Sequence, residues 1–104
     1  MASGVYAKVD ISSANTWVTA VGPAASGVKV TTLNLANRTG ADIKVRVALA
    51  ANTTVTDSDV IEYDTTIPAN GVIERTGIVV DTTNGIQVYA AATGVTAVAW
   101  GIDS

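Results

Sequence analysis

Two stretches decide the fold of this chain: LNLANRTGADIKVRVALA at residues 33–50, and IEYDTTIPANGVIERTG at residues 61–77. In both stretches apolar residues alternate with polar or charged ones, which is the period of a β-strand with one buried face. Ten of the fifteen charged residues of the chain lie between Arg38 and Arg75. The region therefore predicts antiparallel strands that bury one face and carry most of the charge on the other.

The composition predicts an all-β protein with a single domain, residues 1–104. Val and Ile together number 24, against three Leu, and Thr adds fifteen more β-branched residues. Such residues pack well on a pleated surface and are common in strands. Because the chain has no Phe and seventeen Ala, its core lacks large side chains. We therefore expect contacts between subunits to add to its stability.

Glycine residues divide the chain into eight segments. Seven of the nine Gly precede Val or Ile, mostly after Ser, Thr or Asn, as in a tight turn that leads into a strand. We predict strands near Val5–Asp10, Thr16–Val21, Val28–Ala36, Ile43–Leu49, Val60–Asp64, Val72–Val80, Ile86–Ala91 and Val95–Ile102. About eight short strands at this spacing predict an antiparallel β-sandwich, of either jelly-roll or immunoglobulin-like topology.

Local signals add three expectations. The segments that read as hairpin turns are Asn37–Gly40, Pro68–Gly71, Thr83–Gly85 and Ala92–Gly94. Gly77 lies inside a strand pattern and predicts a β-bulge. Residues 1–12 form either an N-terminal strand or an arm that reaches a neighbouring subunit by β-augmentation.

Four charged residues are predicted to form cross-strand ion pairs. If the strands at Ile43–Leu49 and Val60–Asp64 pair about Thr54, Arg46 lies opposite Glu62 and Lys44 lies opposite Asp64. Each such pair stabilises a sheet by roughly 0.2–1 kcal/mol, so the pairs set register more than stability. The simpler interpretation is a solvent-exposed ladder of ion pairs, and the alternative is a charged docking face for another protein.

The sequence predicts no enzymatic activity, no cofactor and no metal site. The chain has no His and no Cys, which excludes imidazole and thiolate chemistry. Two carboxylates could still hydrolyse a glycoside. The candidate acids lie in alternating strand patterns, where acids that face the solvent are common: Glu62, Asp64 and Glu74. The run Thr56–Asp59 has two carboxylates suited to Ca²⁺, but it lacks the full spacing and the glycine of a calcium loop.

Charge and hydropathy also limit the partners. The net charge is −3, and only 14% of residues are charged, so we expect no binding to nucleic acid, which requires clustered Lys and Arg. No run of about 18 apolar residues is present, so we expect no membrane span. The N-terminal residues do not have the pattern of a signal peptide, so synthesis in the cytoplasm without export is expected.

The five aromatic residues are the remaining candidates for a site: Tyr6, Trp17, Tyr63, Tyr89 and Trp100. The two tryptophans either anchor the core or a subunit contact, or the aromatics together form a sugar-stacking platform on one sheet face. Trp100 is out of phase with Val95, Ala97 and Ala99, which predicts partial exposure at an interface or at the end of the sandwich. We therefore assign Tyr6, Trp17 and Trp100 to a protein interface.

Four runs carry a resemblance to a known class of proteins: Leu33–Thr39, Val45–Ala48, Ile61–Asp64 and Ile67–Gly77. Together they resemble small structural proteins of tailed bacteriophages, especially of cyanophages and marine phages. The similarity is strong over about 45 residues, while the N-terminal third fits no pattern of that class.

The resemblance implies a non-enzymatic structural protein of the virion. The expected role is that of a capsid decoration (cement) subunit, which binds the major capsid protein after synthesis in the host cytoplasm. A homo-oligomer is expected, and a trimer would fit. The alternatives are a tail-associated accessory protein that binds other virion proteins, and a carbohydrate-binding or adhesive β-sandwich that uses Trp17 or Trp100.

Overall fold

The computed structural model describes residues 4–103 of the chain, as eight strands and one turn of 3₁₀ helix. The 3₁₀ turn is Asp57–Asp59. The strands are β1 (Gly4–Ile11), β2 (Thr16–Val21), β3 (Lys29–Asn37), β4 (Ile43–Ala50), β5 (Val60–Ile67), β6 (Val72–Val80), β7 (Gly85–Ala90) and β8 (Val95–Asp103). Every strand that the sequence predicted is confirmed, with ends that differ by three residues at most.

The strands form two four-stranded antiparallel sheets, which confirms the β-sandwich. Sheet A has the order β1-β8-β3-β6, and sheet B has the order β2-β7-β4-β5. All successive strands except β4 and β5 lie in different sheets, in the manner of a jelly roll, in which eight strands form two Greek keys. An immunoglobulin-like sandwich would instead place its first two strands side by side in one sheet. The topology therefore decides between the two alternatives in favour of the jelly roll.

Six of the seven connections between these strands cross from one sheet to the other. Only β4 and β5 are consecutive in sequence and paired in space. The four segments predicted as hairpin turns therefore do reverse the chain, but each joins a strand of one sheet to a strand of the other. As hairpins they were predicted wrongly: Asn37–Gly40, Pro68–Gly71, Thr83–Gly85 and Ala92–Gly94.

The bulge predicted at Gly77 is confirmed. Thr31 pairs with Ile78 and Leu33 pairs with Arg75, so two residues of β6 oppose the single residue Thr32. Gly77 has a φ of 71°, which lies in the left-handed region that glycine enters without a steric penalty.

The core consists of aliphatic side chains from the inward positions of both sheets. Every second residue of β3 and β8 is buried, including Leu33, Leu35, Ala97 and Ala99. Neither tryptophan is part of this core, so the core-anchor interpretation of Trp17 and Trp100 was wrong. Burying one Val, Leu or Ile stabilises the fold by about 1.5–3 kcal/mol, so many small contributions replace a few large ones.

Gly4–Ile11 forms an edge strand of the chain's own sheet, paired with β8, and does not project as an arm. The first three residues of the predicted strand or arm lie outside the described residues.

Candidate functional site

Three aromatic rings and one guanidinium form a row across the outer face of sheet B. The ring centroids of Trp17 and Tyr89 are 5.4 Å apart, and the two planes are tilted by 54°. The guanidinium carbon of Arg46 lies 4.5 Å from the ring centroid of Tyr89 and 4.3 Å from that of Tyr63. We call Trp17, Tyr89, Arg46 and Tyr63 the aromatic row. Each member comes from a different strand, so the row crosses the whole sheet.

A β-bulge in β5 places two consecutive residues against Arg46. Val45 pairs with Thr65 and Val47 pairs with Glu62, so Tyr63 and Asp64 both oppose Arg46. Asp64 has a φ of 51°, a conformation that Asp and Asn adopt more readily than most residues. In a regular strand these two side chains would point to opposite faces. The bulge lets Tyr63 stack on the guanidinium while Asp64 binds its nitrogens.

The ion pair of Arg46 with Asp64 fixes the centre of the row. Nε of Arg46 donates to Oδ1 of Asp64 at 2.7 Å. The hydrogen bond from Arg46 lowers the pKa of Asp64 and is the largest cause of that shift. With one ring on each side and a carboxylate at its edge, the guanidinium acts as a spacer between Tyr63 and Tyr89.

The predicted ion pairs are wrong in their partners. Arg46 binds Asp64 and not Glu62, and Lys44 lies opposite Thr66. Glu62 instead binds Arg75, which belongs to the other sheet. The prediction assumed an unbroken ladder, whereas two irregularities, one between Val47 and Ala48 and one between Val45 and Val47, shift the register between Ala48–Val60 and Ile43–Ile67.

The Glu62–Arg75 pair lies beside a slot at the open edge between β5 and β6. The slot has a volume of about 140 Å³, and its apolar lining includes Leu33, Leu35 and Ile73. Glu62 also accepts a hydrogen bond from the Thr65 hydroxyl at 2.8 Å.

A second feature lies on the outer face of sheet A. Val5 pairs with Trp100, and Val30 pairs with both Ile102 and Val79. Trp100 and Ile102 are two residues apart in β8 and share this face. These five side chains are 36–62% exposed. We call Val5, Val30, Val79, Trp100 and Ile102 the apolar patch.

The structure separates the aromatic residues that the sequence suggested as one platform. Trp17, Tyr63 and Tyr89 lie together on sheet B, while Trp100 lies on sheet A, partly exposed in the position that its phase predicted. Tyr6 is half-buried and packs against the core, with the Lys29 ammonium 5.3 Å from its ring centroid. Sequence reasoning missed the role of Arg46. It also missed four members of the apolar patch, although the phase argument used for Trp100 applies to Ile102 as well.

The acidic run at Thr56–Asp59 folds as a local cap. Oδ2 of Asp59 accepts hydrogen bonds from the backbone N–H and the hydroxyl of Thr56, at 3.0 and 3.1 Å. Within residues 4–103, no three side chains of the metal-binding types lie close enough together to hold an ion. The same part of the chain contains no helix with the length and apolarity that a membrane span requires.

Comparison of the chain with protein-family models, with characterised proteins and with solved structures found no match.

Two aspartates make the stability of the fold depend on pH in the acidic range. The pKa of Asp64 is lowered by Arg46, and that of Asp81 is lowered by the backbone N–H groups of Asn84 and Thr83. Their stabilisation is complete above the ordinary Asp pKa of about 3.9 and is lost as the pH falls through the lowered values. We expect the melting temperature to fall below about pH 4, and to fall less steeply for Asp81→Asn and for Asp64→Asn. Equal slopes in wild type and both variants, measured by circular dichroism melts, would contradict this assignment.

Proposed function

We propose that this chain is a non-enzymatic structural subunit of a tailed-bacteriophage virion, most specifically a capsid decoration protein. In this proposal the apolar patch on sheet A docks on the major capsid protein, and neighbouring copies associate as a homo-oligomer, for which a trimer would fit.

The observation that carries the proposal is the apolar patch. Its five residues follow one another across all four strands of sheet A, and none of them carries a charge. Val5 and Ile102 are 60% and 62% exposed in the single chain. Contiguous exposed apolar surface of this kind marks protein–protein contact sites, whose centres are depleted in charge and rich in aromatic residues. Trp100 is well placed to be the main anchor.

Two further points support the phage assignment. The jelly roll occurs in viral capsid domains, although it also occurs in lectins and cupins, so the fold alone does not decide the function. The resemblance to phage structural proteins rests on β3 to β6, and two of these strands, β3 and β6, carry Val30 and Val79 of the patch.

The test is to mix the purified protein with undecorated capsids of the phage that encodes it, and to pellet the capsids by centrifugation. We expect the protein to pellet with the capsids at a fixed number of copies per particle, and to stay in the supernatant when capsids are omitted. Saturable binding of this kind supports decoration. Protein that stays in the supernatant would overturn it, and co-pelleting with isolated tails in the same experiment would assign the chain to the tail instead.

A further inference from the structure

The aromatic row is open and extended, which limits the ligands that fit it. It covers three inter-strand steps of roughly 4.8 Å each, so a ligand must be long enough to follow it across the sheet. The rings of Trp17 and Tyr89 are tilted by 54°, so one flat molecule cannot stack on both. A chain of linked rings, each free to rotate against the next, can contact the successive rings one at a time.

The charges of the row favour an uncharged ligand. The Arg46 guanidinium lies within 4.5 Å of the ring centroids of both Tyr63 and Tyr89, and its nitrogens bind Asp64. This cation is therefore already neutralised and poorly placed to bind phosphate or sulfate groups. The net charge of the chain, −3, further disfavours a polyanion.

Polar groups around the row can form hydrogen bonds with the hydroxyl groups of a ligand. The Asp64 carboxylate is 38% exposed beside the Tyr63 ring. On the other side of Arg46, the Tyr89 hydroxyl donates to Oδ1 of Asn15 at 3.0 Å, which fixes an amide next to the ring. Carboxylates accept hydrogen bonds from neutral donors strongly. Rings beside fixed acceptors suit a molecule that has apolar C–H faces and hydroxyl edges.

A depression beside Tyr63 lies between β5 and the 3₁₀ turn that precedes it. It has a volume of about 320 Å³ and is lined by Asp57, Val60 and Tyr63. This volume lies at the lower end of the range for small-molecule sites. One wall is apolar, and the Asp57 carboxylate supplies a further acceptor.

We propose that the aromatic row binds a neutral oligosaccharide or polysaccharide. Sugar rings pack on Trp17, Tyr89 and Tyr63, where a hydroxyl beside Tyr63 donates to Asp64, and one further ring enters the depression and donates to Asp57. The row lies on sheet B and the apolar patch lies on sheet A, so a subunit docked through sheet A would present the row outward. Carbohydrate binding by the free protein does not depend on capsid docking.

The test is affinity electrophoresis of the free protein in native gels that contain one neutral polysaccharide each: mannan, dextran, laminarin, xylan or soluble starch. We expect at least one of them to retard the wild-type protein. Tyr63→Ala should weaken that retardation at least tenfold, because Tyr63 is 62% exposed and its removal leaves the core intact. Trp17→Phe should weaken it to a smaller extent.

Trp100→Phe is the matched control, since it alters an exposed aromatic residue on the other sheet and should leave the retardation unchanged. Melting curves of the three variants confirm that each is folded. Absence of retardation by all five polymers would overturn the proposal, and so would equal retardation of wild type and Tyr63→Ala. Gels with poly-L-proline and with heparin complete the panel, and retardation by either of these alone would show that the row recognises a peptide or a polyanion.

Discussion

Asn37→Ala should lower the free energy of unfolding by about 3 kcal/mol or more, the largest loss of stability that we expect from any single polar side chain of this protein. Asn37 is 2% exposed at the end of β3. Its Nδ2 group donates to the carbonyl oxygens of Ala41, Ile67 and Pro68 at 2.8, 3.1 and 3.2 Å. Its Oδ1 accepts from the backbone N–H and the hydroxyl of Thr39. One side chain thus joins the β3–β4 and β5–β6 connections.

The size of this loss of stability follows from the buried polar groups that have no hydrogen-bond partner once Asn37 is replaced by alanine. Each buried polar group that loses its partner costs about 1–3 kcal/mol, and several groups lose theirs together. For a domain of this size, about 3 kcal/mol corresponds to a fall in melting temperature of roughly 12 °C or more. Asn37→Asp should be similarly damaging at neutral pH, because a carboxylate cannot donate to the three carbonyl groups.

The matched control for Asn37 is Asn34→Ala, on the same strand. Asn34 is half-buried on the outer face, where water can replace its contacts, so we expect a loss of less than about 1 kcal/mol. Urea unfolding of the three proteins measures both values. Equal midpoints for Asn37→Ala and Asn34→Ala would show that the buried amide does not hold the two connections together.

The strands could be predicted because their information is local. Alternation in residues 43–49 and the Gly–Val or Gly–Ile steps define where a strand runs and which side chains share a face. The alternation of side chains along a strand also predicted that Trp100 lies outside the core. It also applies to Trp17, which is in phase with Thr19 and not with the inward-facing Val18 and Ala20.

The topology could not be predicted in the same way. A turn such as Thr83–Gly85 requires residues that reverse the chain, whether the next strand joins the same sheet or crosses to the other one. That choice depends on packing between the two sheets across the core, which local residues do not encode. The predicted hairpins were wrong for this reason.

The candidate site was predicted least well, because it depends on irregular pairing between β4 and β5. The bulge at Asp64 has no glycine to signal it, unlike the bulge at Gly77. Without the bulge at Asp64 and the further register shift between Val47 and Ala48, Arg46 would face Glu62, as the regular ladder predicted. With them, Arg46 lies between two tyrosine rings, and the aromatic row becomes continuous.

Ile102→Lys should weaken binding to undecorated capsids at least 100-fold, which corresponds to about 2.7 kcal/mol. Ile102 is 62% exposed in the free chain and pairs with Val30 within the apolar patch. The substitution places a charge where docking would remove water, and a buried charge without a partner is strongly unfavourable. Because the side chain is exposed in the free protein, folding should be unaffected. Val79→Lys, also in the patch, should have the same effect.

Val72→Lys is the control for this prediction. Val72 is 58% exposed on the outer face of sheet A, but it lies opposite Ala36 at the other end of β6, away from the apolar patch. Co-pelleting of each variant with capsids over a concentration series gives the apparent affinities. Wild-type affinity for both Ile102→Lys and Val79→Lys would exclude the apolar patch as the docking surface.

The orientation of the docked subunit is tested most directly by oxidative footprinting of the two tryptophans on decorated capsids. Trp100 belongs to the apolar patch on sheet A, and Trp17 belongs to the aromatic row on sheet B, so each reports on one face. Docking through sheet A predicts that Trp100 becomes protected from oxidation on the particle while Trp17 oxidises as fast as in the free protein. Protection of Trp17 with Trp100 left unprotected would contradict the assignment of sheet A as the docking face.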